Sequence, residues 1–568
     1  MCYLRHGPAD PSTPGRGGVR VVDHVVEQLW SRGVRHLFGV GGANIEDLYD
    51  AAHAHAGIAA VLAKHEFSAA TMADGYSRAG VGVGVVVATS GGASLNLLPG
   101  LGESLASRVP VLALIGQPPS TLDGHGSFQD MSGANGALDA EAVFAPVSLY
   151  CRRLLDPDDI VAALPEALAA AERGGPAVLL LPKDIQQGEI AGTPATVSVT
   201  ATSAPAPSEI AALADALRAA DGPITIIAGE QVARDDARDE LEQLRGRLGA
   251  RVATVPDAKD ASDAALGVTG VMGHPGVVDA VAASALCLIV GTRLSLTARA
   301  GLEAVLAPER TRSIGSAPPY LQCTHVDTAD LRAALSDLTQ HLGAAPAPDR
   351  RNGHPGPGEL RPPAYTGDGL RYRDAMAVLH RLLPDDTDIV VDAGNTGAAA
   401  IHYLPARPGG RFVVALGMGG MGYAFGAGVG MCFGRGHRTV VIAGDGSFFM
   451  HGMEIHTARE YGLPVTFVLL NNNAHAMCVN REQLFYGDRY SYNRFQPSRL
   501  ALGLAAMFPG LPCSEVSDSA RLHDALATAL GTEGPSVISI DCAADELPPF
   551  APFLTQVRRD TQCPTSVH

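Results

Sequence analysis

The chain has 568 residues, of which 46% are hydrophobic, and its formal net charge is −17 at pH 7. This length predicts about three to four domains, and the hydrophobic fraction with 65 glycines and 39 prolines favours a loop-rich α/β protein. The negative charge argues against nucleic acid or an anionic membrane as a partner, and no apolar run is long enough to span a bilayer.

The nine cysteines are scattered along the chain without a close pair, which predicts reduced thiols and a cytoplasmic location. The first 18 residues lack the apolar segment of a signal peptide. We expect them to form a disordered lead to the first domain.

Apolar residues at helical spacing over 19–32 begin a stretch in which predicted helices and strands alternate as far as residue 187. Such alternation is typical of a doubly wound parallel sheet. Glu66 follows a predicted strand and precedes a predicted helix, 67–78, where a carboxylate often only complements the helix dipole. The predicted strands are 36–40, 58–62, 84–88 and 109–115.

The α/β pattern resumes over residues 205–345, after a linker at 191–207 that is rich in Thr, Ala and Pro. No GxGxxG fingerprint follows a strand in this region, so its residues give no positive support for a bound dinucleotide. A second linker, 345–366, is rich in Gly, Pro and Arg. The predicted strands are 223–228, 286–290 and 325–327.

A third α/β stretch, residues 367–552, follows this linker and carries polar loops after its buried strands. A helix is predicted over 371–383 and a strand over 388–391. That strand runs into a loop whose short side chains and backbone donors suit a phosphate. The candidate phosphate contacts are Gly394, Asn395 and Thr396.

Two further strands of this region, 438–443 and 464–470, end close to Asp445 and Asn472, which are 27 positions apart. Parallel strands open on the same edge of their sheet, so the two oxygen-bearing side chains are expected to converge. Hard oxygen ligands suit magnesium held together with a diphosphate. The glycines beside Asp445 let backbone N–H groups approach such a ligand closely.

The segment GDGSFFMHGMEIHTAREYGLPVTFVLLNNN resembles the thiamine-diphosphate-binding motif, with spacing and flanks similar to those of acetolactate synthases. The segment that begins LAKHEFSAATMADGYSRAG resembles the pyrimidine-binding domain of the same family. The resemblance covers almost the whole chain. It implies an α/β fold of three doubly wound parallel-sheet domains: pyrimidine-binding (19–187), central (205–345) and diphosphate-binding (367–552).

This resemblance implies thiamine diphosphate and Mg²⁺ as cofactors. The implied metal ligands are Asp445, Asn472 and the backbone carbonyl of Ala474. In the family, the methionine matching Met421 bends the cofactor and the carbonyl matching Gly419 takes its amino group. Acetolactate synthases also hold FAD in the central domain; here FAD stays possible but is not favoured. The implied cofactor contacts are Gly394, Asn395, Thr396, Gly419, Met421, Gly446, Ser447 and Met477.

At the reactive end of the cofactor, Glu66 falls on the glutamate that activates the aminopyrimidine ring in the family. Phe128 and Gln129 match the loop that faces the substrate. His125 departs from the family pattern in that loop, and a solvated loop histidine is the alternative to a catalytic one. Arg481 stands where acetolactate synthases commonly carry a tryptophan. It suggests a different acceptor pocket, for an anionic or polar group, or else a solvated arginine.

The resemblance implies an enzyme that decarboxylates a 2-oxo acid such as pyruvate and transfers the acyl unit to a second carbonyl compound. A non-ligating decarboxylase and a flavin-linked oxidase are the alternatives, and an inactive regulatory relative is disfavoured because Glu66, Asp445 and Asn472 are intact. Arg481 and the missing flavin fingerprint favour specialised metabolism.

The first and third domains also resemble each other: GYSRAGVGVGVVVATSGG is similar to GYAFGAGVGMCFGRGHRTVVIAGDGS. Two similar sheets that share a cofactor imply a site where they face each other. In the family the two halves come from different subunits, which implies a homodimer or homotetramer.

Overall fold

The computed structural model describes residues 18–191, 206–343 and 357–562. The predicted N-terminal lead, most of the linker 191–207 and the first part of the linker 345–366 lie outside the described residues. Three six-stranded parallel sheets organise the rest, which confirms the predicted α/β class. The sheets lie within the three predicted domain ranges, whose boundaries stay predictions.

The first sheet has helices on its faces and a core of consecutive apolar residues, as expected for buried parallel strands. A short antiparallel pair, Val19–Arg20 with Glu189–Ile190, joins the two ends of this region. The strands in spatial order are Ala59–Leu62, His36–Val40, Gly84–Ala88, Val111–Gln117, Pro176–Pro182 and Tyr150–Arg153. The helices are Val21–Ser31, Glu46–Ala54, Glu66–Tyr76, Gly92–Leu95, Leu98–Ala106, Ala140–Phe144, Ile160–Glu172 and Lys183–Gln187.

The second sheet has the strand order 3-2-1-4-5-6 when its strands are numbered along the chain, which is the order of the dinucleotide-binding fold. In spatial order its strands are Ala265–Val268, Arg251–Thr254, Ile224–Ala228, Leu286–Val290, Thr311–Gly315 and Thr324–Asp327. Its helices are Pro207–Ala219, Glu230–Arg234, Arg238–Leu248, Pro275–Ala282, Leu296–Arg299 and Leu331–His341.

The third sheet has the order 2-1-3-4-6-5, which is also the order of the first sheet once the short pair is set aside. In spatial order its strands are Phe412–Val414, Asp388–Val391, Thr439–Gly444, Val465–Asn471, Ser536–Asp541 and Cys513–Val516. The helices are Tyr372–Leu382, Asn395–Tyr403, Tyr423–Arg435, Asp445–His451, Glu454–Glu460, Ala476–Tyr486, Leu500–Met507, Ser519–Leu530 and Ala551–Gln562.

Two element boundaries differ from the sequence prediction for local reasons. The predicted helix 19–32 begins at Val21, because Val19 and Arg20 pair with a second short strand. The predicted helix 67–78 begins one residue earlier, at Glu66, and its regular turns end at Tyr76. A wider π-helical turn, Ser77–Val81, follows, and Gly80 within it has a φ of +84°.

Glycines allow the first and third domains to pack through two closely crossing helices, Glu66–Tyr76 and Tyr423–Arg435. A Cβ atom at Gly430 would lie 1.9 Å from the carbonyl oxygen of Met72, and one at Gly75 would lie 2.1 Å from that of Ala427. Only glycine permits so close an approach of two backbones. In the described part of the chain, no helix is long and apolar enough to cross a membrane.

Candidate functional site

Ten of the predicted cofactor and metal residues line one pocket at the carboxyl edge of the third sheet. The pocket lies where the strands Asp388–Val391, Thr439–Gly444 and Val465–Asn471 end and their loops meet. Such strand ends are the usual ligand position in doubly wound sheets. The ten residues are Gly394, Asn395, Thr396, Met421, Asp445, Gly446, Ser447, Asn472, Ala474 and Met477.

Asp445 is the only carboxylate among the residues that line this pocket. It begins the helix Asp445–His451 and is 1% exposed. Its Oδ1 accepts from the backbone N–H of Asn472 at 3.5 Å, and its Oδ2 accepts from that of Ala474 at 3.1 Å. Burial raises the pKa of this carboxyl to about 6, against the lowering effect of these hydrogen bonds. A cation bound beside it would offset that burial cost.

Two carboxamide oxygens in the pocket are buried without a hydrogen-bond partner among the described residues, namely Oδ1 of Asn472 and Oδ1 of Asn395. Buried polar atoms are normally satisfied, so unpaired acceptors in a pocket indicate a missing donor or cation. The Asn395 amide is fixed because its Nδ2 donates to Asn480 Oδ1 at 2.7 Å. The donor set of carboxylate, carboxamide and carbonyl oxygens therefore fits Mg²⁺.

Among the described residues, no three His, Cys, Asp or Glu side chains cluster so that they could hold a metal. The predicted set contains one carboxylate, so such a cluster was not expected. Mg²⁺ commonly uses one or two carboxylates and completes its shell with water and substrate phosphates.

Glycine at position 446 keeps the pocket open beside Asp445. A Cβ atom there would lie 2.5 Å from Nδ1 of His475 and 3.4 Å from the terminal carbon of Met421. His475 Nδ1 is itself buried and unpaired among the described residues. Gly394 has a φ of +90°, which explains the glycine directly before the helix Asn395–Tyr403.

Asp392 connects loops around the pocket and was not among the residues predicted from the sequence. Its Oδ1 accepts from Ser447 Oγ at 2.6 Å and from the N–H of Gly422 at 3.0 Å, and its Oδ2 accepts from the N–H of Ala424 at 2.9 Å. It thereby ties the predicted diphosphate loop to the loop that carries Met421. The available signal was its position directly after a buried strand.

Glu66 lies at the carboxyl edge of the first sheet, half-buried, and does not line the pocket of the third domain. Its Oε2 accepts a hydrogen bond from Asn96 Nδ2 at 2.9 Å. Its Oε1 receives no hydrogen bond from any residue that the structure describes. The surroundings of Glu66 and those of Asp445 are therefore separate in one chain, and we refer to them as two candidate half-sites.

Gln129 belongs to the half-site of the first domain. Its Oε1 lies 3.4 Å from Ser90 Oγ and 3.5 Å from both Thr89 Oγ1 and Asn44 Nδ2, and its φ is +63°. These polar neighbours orient the carboxamide at the end of the strand Gly84–Ala88.

The other predicted residues lie outside the pocket. Phe128 is 79% exposed and His125 is exposed, with its Nδ1 2.9 Å from the carbonyl oxygen of Asp123. Arg481 is exposed on the helix Ala476–Tyr486 and forms no hydrogen bond or ion pair with another described residue. Gly419 lies in an exposed loop with a φ of +67°.

A second cavity, of about 620 Å³, opens where the order of the central sheet reverses, after the strands Ile224–Ala228 and Leu286–Val290. Its lining includes Arg108 and Arg293, whose Nε atoms are buried and unpaired among the described residues. Burial also raises the pKa of the lining carboxyl of Glu230 to about 7. The cavity position is that of a nucleotide site in this fold, although the sequence fingerprint is absent.

Three family models of thiamine pyrophosphate (thiamine diphosphate) enzymes match the chain. The N-terminal TPP binding domain matches residues 19–137, the central domain matches 210–339, and the C-terminal TPP binding domain matches 392–540.

Two relatives and one solved structure extend this similarity over nearly the whole chain. The chain is 29% identical to the acetolactate synthase isozyme 2 large subunit of Escherichia coli (strain K12), over 92% of its length and 95% of the relative's. It is 27% identical to the acetolactate synthase of Arthrospira platensis, over 92% of its own length and 94% of the relative's. The solved structure of a suggested thiamin diphosphate-dependent enzyme from Mycobacterium smegmatis shares the fold, with a TM-score of 0.77 and 23% sequence identity. The match covers 93% of this chain and 100% of that one.

Proposed function

The chain belongs to the thiamine pyrophosphate enzyme family, and from this premise we propose that it decarboxylates a 2-oxo acid such as pyruvate and joins the acyl unit to a second carbonyl compound. The observation that carries this proposal is the pocket at Asp445, where the predicted diphosphate and metal residues converge. The similarity to acetolactate synthases supports the ligating reaction.

In this proposal the pocket holds the diphosphate end of the cofactor. Asp445, Asn472 and the Ala474 carbonyl hold Mg²⁺. Gly394 contacts the phosphates together with Asn395 and Thr396, which the structure places in the first turn of the helix Asn395–Tyr403 and not in the predicted loop. The unpaired Oδ1 atoms of Asn472 and Asn395 support this arrangement, because they gain partners when Mg²⁺ and its water shell are present. Asp392 fixes the Ser447 hydroxyl at the edge of the pocket.

When bound, thiamine diphosphate supplies the electron sink that decarboxylation of a 2-oxo acid requires. Glu66 holds the activating proton at Oε1, the oxygen left without a described donor, while Asn96 fixes Oε2. Gln129 orients the acceptor through a carboxamide that its own polar neighbours hold in place.

Substrate selection is proposed to involve Phe128 and Arg481, and His125 is proposed to position the acceptor or relay protons together with Gln129. Their exposure in the single chain supports contact with a small molecule or with a second subunit. Arg481 has no described ion pair, so its guanidinium is free to bind an anionic group of the acceptor. This feature supports a carboligase of specialised metabolism.

A homodimer or homotetramer is part of the proposal, because Glu66 and Asp445 lie in separate half-sites of one chain. Co-purified mixtures of E66Q and D445N chains test it. If each site takes Glu66 from one subunit and Asp445 from the other, mixed dimers have one intact site. A random equimolar mixture then recovers about a quarter of wild-type activity. A mixture as inactive as its components would contradict a shared site.

Mass spectrometry of products from pyruvate and a panel of aldehydes, keto acids and acyl thioesters tests the reaction itself. A 2-hydroxy ketone or 2-hydroxy-keto acid is expected. Aldehyde alone would indicate a non-ligating decarboxylase, and acid formation with flavin absorbance would indicate an oxidase. Ligation is redox-neutral, so the proposed reaction needs no electron transfer to FAD. Acetolactate as the sole product at high rate would contradict specialised metabolism.

A cytoplasmic location is likewise proposed. It is supported by the seven described cysteines, all of which are free thiols.

A further inference from the structure

We propose that Glu103, a residue of the first domain, positions the loop of the third domain that holds the ring end of the cofactor. This inference rests on the proposed function, since it concerns the same cofactor. It assigns no chemical step to Glu103, which acts through the loop Gly417–Gly419.

The carboxylate of Glu103 is 3% exposed and accepts hydrogen bonds from three consecutive backbone N–H groups across the domain boundary. Oε1 accepts from Gly417 at 3.0 Å, and Oε2 accepts from Met418 at 2.6 Å and from Gly419 at 3.2 Å. Ser107 Oγ also donates to Oε1, at 2.6 Å. A carboxylate has about four acceptor positions, so this one is saturated.

Nothing else in the described structure holds this stretch of loop so directly. Met418 is 67% exposed, and Gly419 is exposed with a left-handed φ of +67°. Gly417 packs against the Glu103 helix, since a Cβ atom there would lie 2.7 Å from that of Ala106. The loop is thus ordered by a side chain from another domain.

A second carboxylate fixes the far end of the same loop. Asp392 accepts from the N–H groups of Gly422 and Ala424. Glu103 and Asp392 therefore bracket the two residues between their contacts, Gly420 and Met421. Met421 lines the cofactor pocket, so its position depends on both anchors.

Glu103 shares one buried counter-charge, Arg78, with Asp74, whose Oδ1 lies 2.7 Å from Arg78 Nε. Arg78 Nη2 lies 3.9 Å from Glu103 Oε1, and the Arg78 side chain is 9% exposed. Replacing Glu103 by Gln keeps the size of the side chain but turns one acceptor into an NH₂ donor. That donor would face backbone N–H groups, so at least one of the loop's hydrogen bonds is lost.

The test compares two probes, thiamine diphosphate with Mg²⁺ and inorganic pyrophosphate with Mg²⁺, by titration calorimetry on the full chain. Pyrophosphate reports the diphosphate end alone, and thiamine diphosphate reports both ends. E103Q is expected to weaken thiamine diphosphate binding about tenfold, which corresponds to the loss of one charge-assisted hydrogen bond. Its affinity for pyrophosphate is expected to match wild type.

E240Q is the matched control, because Glu240 is also a buried glutamate, pairs with Arg332 at 3.0 Å in the central domain, and does not contact the loop. It should bind both probes like wild type. Should E103Q fail to fold, E103D keeps the charge but is one methylene shorter, and it is expected to show the same selective loss.

Equal weakening of both probes by E103Q would show a general structural role and overturn the inference, as would unchanged binding of both. Failure of the wild-type chain to bind thiamine diphosphate would instead overturn the proposed function.

Discussion

Replacing Gly430 by Ala should push apart the two helices through which the first and third domains pack, and so destabilise the fold. The added Cβ atom would lie 1.9 Å from the Met72 carbonyl oxygen, whereas real Cβ contacts essentially never fall below 3.0 Å. The two helices would therefore have to move apart by about 1.1 Å, the difference between these distances. The Met72 carbonyl is main chain and the alanine Cβ is held rigidly by its own backbone, so no side chain can rotate away.

Two opposing effects, overpacking and helix propensity, set the change in the free energy of unfolding. Overpacking of a well-packed core costs about 1–3 kcal/mol, and a contact with backbone belongs at the upper end. Alanine is about 1 kcal/mol more favourable than glycine inside a helix. We therefore expect G430A to lower the free energy of unfolding by about 2 kcal/mol.

Urea unfolding followed by circular dichroism measures this effect. G503A is the matched control, because Gly503 lies in the exposed middle of the helix Leu500–Met507 with nothing within 4 Å of an added Cβ atom. It should raise stability by up to about 1 kcal/mol through helix propensity. Equal stability of G430A and G503A would contradict a close backbone contact between the two helices.

Three further predictions concern charge. D445N should abolish the Mg²⁺-dependent rise in melting temperature caused by thiamine diphosphate, because it removes the only carboxylate of the pocket; an unchanged rise would contradict the metal assignment. R481L should lower kcat/KM about tenfold for anionic acceptors but not for neutral ones, since an ion pair to the substrate is lost; equal losses for both acceptor types would argue against a direct contact. Burial raises the pKa of Glu546 to about 7, so the native state binds this proton more tightly than the unfolded state. The stabilisation that this proton contributes is fully present below about pH 4.5 and is lost as the pH rises through 7. The free energy of unfolding then falls by about 2 kcal/mol, after allowance for the partial exposure of the group. Urea unfolding at pH 5 and pH 8 should show this loss in wild type and not in E546Q, and parallel behaviour of the two proteins would contradict it.

The convergence of Asp445 and Asn472 in one pocket could be predicted from sequence because its signals are local. Asp445 and Asn472 each follow an uninterrupted apolar strand, and parallel strands bring their ends together. The start of the helix at Asp445 was nevertheless not predicted, because Gly-Asp-Gly is typical of a turn and hides the helix that begins within it.

The contacts of Glu103 and Asp392 could not be predicted in this way. Glu103 lies 314 positions from Gly417, and nothing in either segment indicates that they meet. The same holds for the crossing of the two glycine-bearing helices, which depends on how the domains dock. Sequence patterns report periodicity and turns, whereas these contacts depend on the relative placement of whole domains.

The helix Glu66–Tyr76 also has a consequence for synthesis of the protein. Every residue from Phe67 to Tyr76 is buried in the finished fold, in part against Tyr423–Arg435. At a translation rate of about 5–20 residues per second, the nearly 350 residues between these helices take roughly 20–70 s to emerge. During that interval the helix Glu66–Tyr76 of the nascent first domain exposes the face that later packs against the helix Tyr423–Arg435. Slow elongation through the central domain should therefore increase aggregation or chaperone capture of the unfinished chain.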